Sequence, residues 1–281
     1  MVTDFIFDGK ALSDFGYVFF LEDEEEIVVS NMTFTTIKGA RTDSLKSIGY
    51  SYEEPYSTTF TIMKNPCVYD NDEQHLTRDD ISEMVRWLSQ KQFKWFRFID
   101  DNDNDEIWYK AQIKINKATA GDYCYGLQLV VTTNAPYGFT REITKTVNNL
   151  NNGDIIEIPI NTDEFGEFYP NVNITINGSV AGSKDVSFKN ITAYDEGAES
   201  SATTLVKNCI NGEELDFWGE GVMQFETTNA SHDLEKDFDY RFPVLVATPG
   251  VSSNVIEIEI PNTITCNVTY KYRGIRKVGF E

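Results

Sequence analysis

The chain has 281 residues, enough for one large domain or two ordinary ones, each able to bury its own core. Hydrophobic residues at 41% and aromatics at 13% exclude a disordered chain. A net charge of −21 and a pI near 4.4 exclude stable wrapping of nucleic acid, because phosphate binding rests on Lys and Arg.

In chain order, the opening Met1–Asp8 has no basic region followed by an apolar stretch, so no signal peptide is expected. No apolar run approaches the roughly 20 residues of a membrane helix, so no membrane insertion is expected and folding in a cytoplasm is. Residues 56–63 alternate, with Tyr56, Phe60 and Ile62 on one face and Ser57, Thr59 and Thr61 opposite, the period of a half-buried strand. Thr77 with Asp80 three residues on predicts a capped helix start, and Ile81, Met84, Val85 and Leu88 then form its apolar stripe, with Trp87 beside it. Strand chemistry returns at 93–99. It continues through the sets Ile107, Tyr109, Ala111, Ile113, Ile115 and Tyr125, Leu127, Leu129, Val131.

Turn-rich segments at 134–138 and 148–153 place a domain boundary near residue 145, giving domains 1–145 and 146–281. Beyond it the pattern is all strand. Ile156, Ile158 and Ile160 alternate, as do Val172, Ile174 and Ile176 ahead of an Asn177-Gly178 turn signal, then Val255 to Ile260, and Ile264, Cys266, Val268 and Tyr270. The predicted class is mainly β with one packed helix, ending in a β-sandwich.

Little in the chain points to catalysis, a cofactor or a metal, and none is expected. The two histidines, His75 and His232, have no ligand partner at helical or hairpin spacing, and there is no Cys-x-x-Cys. Ser231, His232 and Asp233 are consecutive and so cannot converge as a triad. A calcium loop starting at Asp101 would need Gly where Glu106 stands and Glu where Gln112 stands, so residues 100–106 read as a solvated turn. Residues 22–26 (Glu-Asp-Glu-Glu-Glu) read as an exposed acidic loop. Trp95, Phe96 and Phe98, and Phe217 with Trp218, read as core rather than as sugar-stacking platforms. Cys67, Cys124, Cys209 and Cys266 lie far apart and read as free thiols, mostly buried.

Two regions carry a resemblance. The opening Phe5–Val18, then residues 39–43 (Gly-Ala-Arg-Thr-Asp), the helix end Val85-Arg86-Trp87-Leu88 and Ala135-Pro136-Tyr137 resemble, in that order, siphophage distal tail proteins. So do Asn211–Asp216, Phe242-Pro243-Val244-Leu245, Pro249-Gly250, Asn254-Val255-Ile256 and Tyr270–Gly274 in the second half. The resemblance implies a tail-tube-like, ring-forming N-terminal β-domain and a C-terminal sandwich similar to galectins and carbohydrate-binding modules. It further implies a non-enzymatic virion component, assembled in the bacterial host cytoplasm and placed at the tail tip. There it would form a homohexameric ring that joins the tail tube protein to the tail-associated hub or lysin protein, lets DNA pass and, in many phages, carries receptor-binding proteins. The alternatives are another tail tube or baseplate protein, or a carbohydrate-binding module. The acidic segments 22–26 and 100–106 are then candidates to face the lumen.

Overall fold

Alternating apolar and polar residues give this chain mostly antiparallel strands, and contacts divide them into two compact units. The computed structural model describes residues 2–21, 32–38, 45–52, 54–100, 106–178, 184–197, 202–219, 221 and 223–277. One unit comprises the described residues of Met1–Thr140 and Ile275–Glu281, and the other is Arg141–Gly274.

In the first unit the strands are β1 (Val2–Phe7), β2 (Lys10–Ala11), β3 (Tyr17–Leu21), β4 (Met32–Lys38), β5 (Leu45–Tyr52), β6 (Ser57–Lys64), β7 (Lys94–Asp100), β8 (Tyr109–Ala120), β9 (Tyr123–Thr133) and β10 (Gly138–Phe139). Seven of them form one antiparallel sheet in the order β2-β1-β7-β8-β9-β6-β3. β1 and β3 are well separated in that order, yet the Phe5 and Phe19 rings lie 6.1 Å apart, so the sheet curls upon itself. Phe5, Phe60, Ile62, Phe96, Leu127 and Leu129 are fully buried inside the curl.

Helix α1 (Arg78–Leu88) packs against this core. Thr77 accepts from the Asp80 backbone N–H, and the Asp80 carboxylate accepts from the Thr77 N–H at 2.7 Å, as the capping-box spacing predicts. The buried stripe is Met84, Trp87 and Leu88, while Val85 is 41% exposed. Trp87 thus takes the place expected for Val85. Its ring stacks on Phe15 at 4.4 Å and its indole N–H donates to the Phe7 carbonyl at 3.0 Å, so the larger apolar surface goes inward with its polar atom satisfied.

Tyr125 is exposed, against expectation, because Tyr125 has no partner where Ala118 pairs with Gly126 and Thr119 with Cys124. This bulge flips the alternation: Leu127, Leu129 and Val131 point inward, but Tyr125 does not. Gly126 follows from the same crowding, since a Cβ there would lie 2.7 Å from the Ile62 carbonyl oxygen.

The second unit contains β11 (Ile143–Leu150), β12 (Ile155–Pro159), β13 (Gly166–Phe168), β14 (Asn171–Asn177), β15 (Lys184–Asn190), β16 (Thr203–Cys209), β17 (Glu214–Trp218), β18 (Gln224–Thr227), β19 (Leu245–Ala247), β20 (Ser253–Glu259) and β21 (Thr265–Tyr272). A five-stranded sheet, β11-β21-β14-β17-β18, and a four-stranded sheet, β12-β20-β15-β16, enclose one core. Inward Ile156, Ile158, Val172, Ile174, Ile176, Ile256, Ile258, Val268 and Tyr270 fill it, as the period of two predicts. The all-strand expectation misses two short helices, α2 (Ile191–Asp195) and α3 (Leu234–Asp237). Nor do the strands on either side of Asn177-Gly178 form a hairpin, because β14 lies in one sheet and β15 in the other.

β11 runs antiparallel to β21, so the boundary expected near residue 145 falls within a strand, and the units part between Thr140 and Arg141. A last strand, β22 (Ile275–Arg276), pairs with β10 and belongs to the first unit, not the second.

Candidate assembly surface

β4 and β5 form a ribbon that, among the described residues, pairs with no other strand. Phe34 lies opposite Tyr50, and a register shift leaves Ile48 as the extra, bulged residue. Phe34, Ile37, Leu45, Ile48 and Tyr50 are each more than half exposed. A lone two-stranded ribbon is marginal in water, and one that turns this much apolar surface outward calls for a cover. The ribbon is rooted at Tyr52, whose ring meets Tyr137 at 5.2 Å and lies under the Lys277 ammonium at 5.8 Å. From Tyr137 a chain of edge-to-face rings runs through Phe139 to Trp95, and Lys110 caps Trp95 at 5.0 Å. Tyr137 therefore anchors the ribbon.

β3 forms one edge of the seven-stranded sheet and exposes Phe20. Such an edge offers backbone donors and acceptors to a further strand.

Residues 22–26 and 101–105 lie outside the described residues, as do 39–43. Of the second acidic run, Glu106 is engaged within its own unit. It pairs with Arg97 at 2.7 Å and accepts from the Trp108 indole at 3.3 Å. Phe96 and Phe217 are core as expected and Trp95 and Phe98 are partly buried, but Trp218 is 47% exposed. Cys209 and Cys266 are buried free thiols, Cys124 is half-buried, and Cys67 is exposed instead of buried. His75 stacks edge-on against Tyr123. Ser231, His232 and Asp233 do not converge: Asp233 pairs with Lys236, and His232 turns inward toward Cys209 and Glu213. That last grouping is invisible to spacing along the chain.

Residues 1–135 match a family model described as a phage tail protein N-terminal domain, and residues 137–272 match one described as a phage tail C-terminal domain. The chain belongs to this phage tail protein family. Only Pro136 and residues 273–281 fall outside the two matches. No curated protein sequence matches the chain. In fold, this phage tail protein is similar to the Dit protein of phage SPP1, with a TM-score of 0.56 at 12% identity over 97% of this chain and 99% of that one. The SPP1 protein is described as a paradigm of the hub adsorption apparatus in phages that infect Gram-positive bacteria. The tail protein is also similar to a chain of the phage P2 baseplate in its calcium-activated conformation, with a TM-score of 0.50 at 9% identity over the full length of both. Both likenesses span the two units, so the mainly β fold of this chain resembles that of the SPP1 Dit protein.

Proposed function

We propose that this phage tail protein is a non-catalytic scaffold of the tail tip, a distal tail protein whose first unit assembles into a six-membered ring. In this reading the ring joins the tail tube to the hub below it. The observation that carries the reading is the ribbon of β4 and β5, with apolar residues exposed that a monomer leaves wet. In a cyclic assembly each subunit covers its neighbour's ribbon and extends its neighbour's sheet edge, so no ribbon is left bare. The net charge of −21 suits a channel through which DNA slides without sticking.

Sedimentation velocity on wild type and on a Phe34→Asp, Ile48→Asp double variant tests the reading. Both side chains are more than half exposed, so the double variant is expected to keep its near-UV circular dichroism and to lose the oligomer. An oligomer that survives both charges would mean that the ribbon is not the contact.

A further inference from the structure

The geometry points to a zinc site in the second unit, built from Cys209, Glu213 and His232. Cys209 ends β16, Glu213 immediately precedes β17, and His232 lies in the turn ahead of α3, so two turns distant in sequence meet here. One ligand atom from each lies within 4.8 Å of the other two. His232 Nε2 is 3.6 Å from Glu213 Oε1, too long for a good hydrogen bond. It is close to the ~3.4 Å that separates two ligands on a tetrahedral zinc with bonds of about 2.0–2.2 Å.

All three side chains are withdrawn from water. Cys209 and Glu213 are each 1% exposed, and the His232 side chain is 2% exposed. Neither ring nitrogen of His232 has a hydrogen-bond partner among the described residues. A buried imidazole without partners is costly, and a buried carboxylate with no cation beside it more so. Glu213 is held firmly in position: Oε2 accepts from the Ile210 N–H at 2.8 Å and Oε1 from the Thr227 hydroxyl at 2.5 Å. Both oxygens retain lone pairs, so these bonds orient the carboxylate without blocking it.

Thiolate, imidazole and carboxylate together suit zinc and not calcium or magnesium, which take oxygen donors. Burial, with Glu213, Asp185 and Asp237 nearby, pushes the Cys209 thiol well above its ordinary range. Binding therefore breaks the S–H bond as the Zn–S bond forms, and the proton leaves to solvent. Three protein donors leave the fourth position to water. The ion would staple the β16–β17 turn to the segment before α3, independently of any ring.

The test uses the full chain, stripped with a chelator under reducing conditions and titrated with Co²⁺ as a spectroscopic stand-in, then with Zn²⁺. One equivalent of cobalt is expected, with a thiolate-to-cobalt charge-transfer band and the visible bands of a tetrahedral ion, both abolished by one equivalent of zinc. Zinc should also raise the Tm of the wild type. The band should persist in Cys67→Ser, which removes the exposed thiol, and vanish in Cys209→Ser and His232→Gln. Absence of the band from folded wild type would overturn the assignment. So would its loss in Cys67→Ser or its survival in Cys209→Ser.

Discussion

Lys64 is the least expected buried residue of the first unit. Its position in the alternation of β6 points it inward, and at 6% exposure its ammonium relies on Asp80 at 2.9 Å and on the His75 carbonyl at 3.4 Å. Asp80 thus serves two structures, the cap of α1 and the charge of a buried lysine. Burial alone would raise its carboxyl pKa. The Lys64 hydrogen bond, with those of Thr77, outweighs burial and holds it below the ordinary carboxylate range. A carboxyl lowered in the folded state stabilises above its unfolded pKa of about 4, and that contribution is lost as pH falls through the lower folded value. Urea unfolding should therefore show the wild type losing stability below about pH 4 more steeply than Asp80→Asn. At neutral pH, Thr77→Ala should cost about 1 kcal/mol, the worth of a cap. Asp80→Ala should cost about 3 kcal/mol, because it also strands a buried ammonium. In the second unit, Asn254 is fully buried and mimics a strand partner for Val246, accepting from its N–H at 2.9 Å and donating to its carbonyl at 2.8 Å. Its Oδ1 also accepts from Asn190 at 2.7 Å. The near-isosteric Asn254→Asp removes the donor and buries a charge, so denaturant titration should show a loss of about 2 kcal/mol or more.

Which elements could be read in advance depended on how local their causes are. The cap of α1 was legible because Thr77 and Asp80 sit one turn apart. So were the alternating strands of both units, because a period of two needs no knowledge of the partner strand. The exchange of Val85 for Trp87 was not, since it depends on Phe15 and on the Phe7 carbonyl, both remote in sequence. Tyr125 was misplaced because a bulge is set by the register of two strands and not by either alone. The return of β22 to the first unit and the convergence of Cys209 on His232 are likewise products of topology. At this scale Trp87 ties α1 to the curled sheet, and Trp87→Ala should cost about 3–5 kcal/mol in chemical unfolding. Gly274, which precedes β22, is equally constrained: a Cβ there would lie 1.8 Å from the Asn161 carbonyl oxygen. Gly274→Ala should displace that crossing and lower the Tm, whereas alanine at Gly49, with nothing within 4 Å, should not.

For the whole molecule, the family match and the likeness to two phage tail structures agree with the surface chemistry. The five apolar side chains of the ribbon are each roughly half exposed, so covering one is worth on the order of 1 kcal/mol, half the value of full burial. Together they give on the order of 5 kcal/mol, near the bottom of the roughly 4–15 kcal/mol that association costs in lost freedom. In the proposed ring, ribbon contacts alone would leave little or no surplus, and paired strand edges such as that of β3 would add to them. Ring formation should accordingly depend strongly on protein concentration. The most direct test is negative-stain electron microscopy of the purified protein across a concentration series, with particles classified without imposed symmetry. Discrete six-fold rings with an open centre, growing in number with concentration, are the predicted result. Particles that remain monomeric at the highest concentration, even with tail tube protein added as a template, would contradict the scaffold reading.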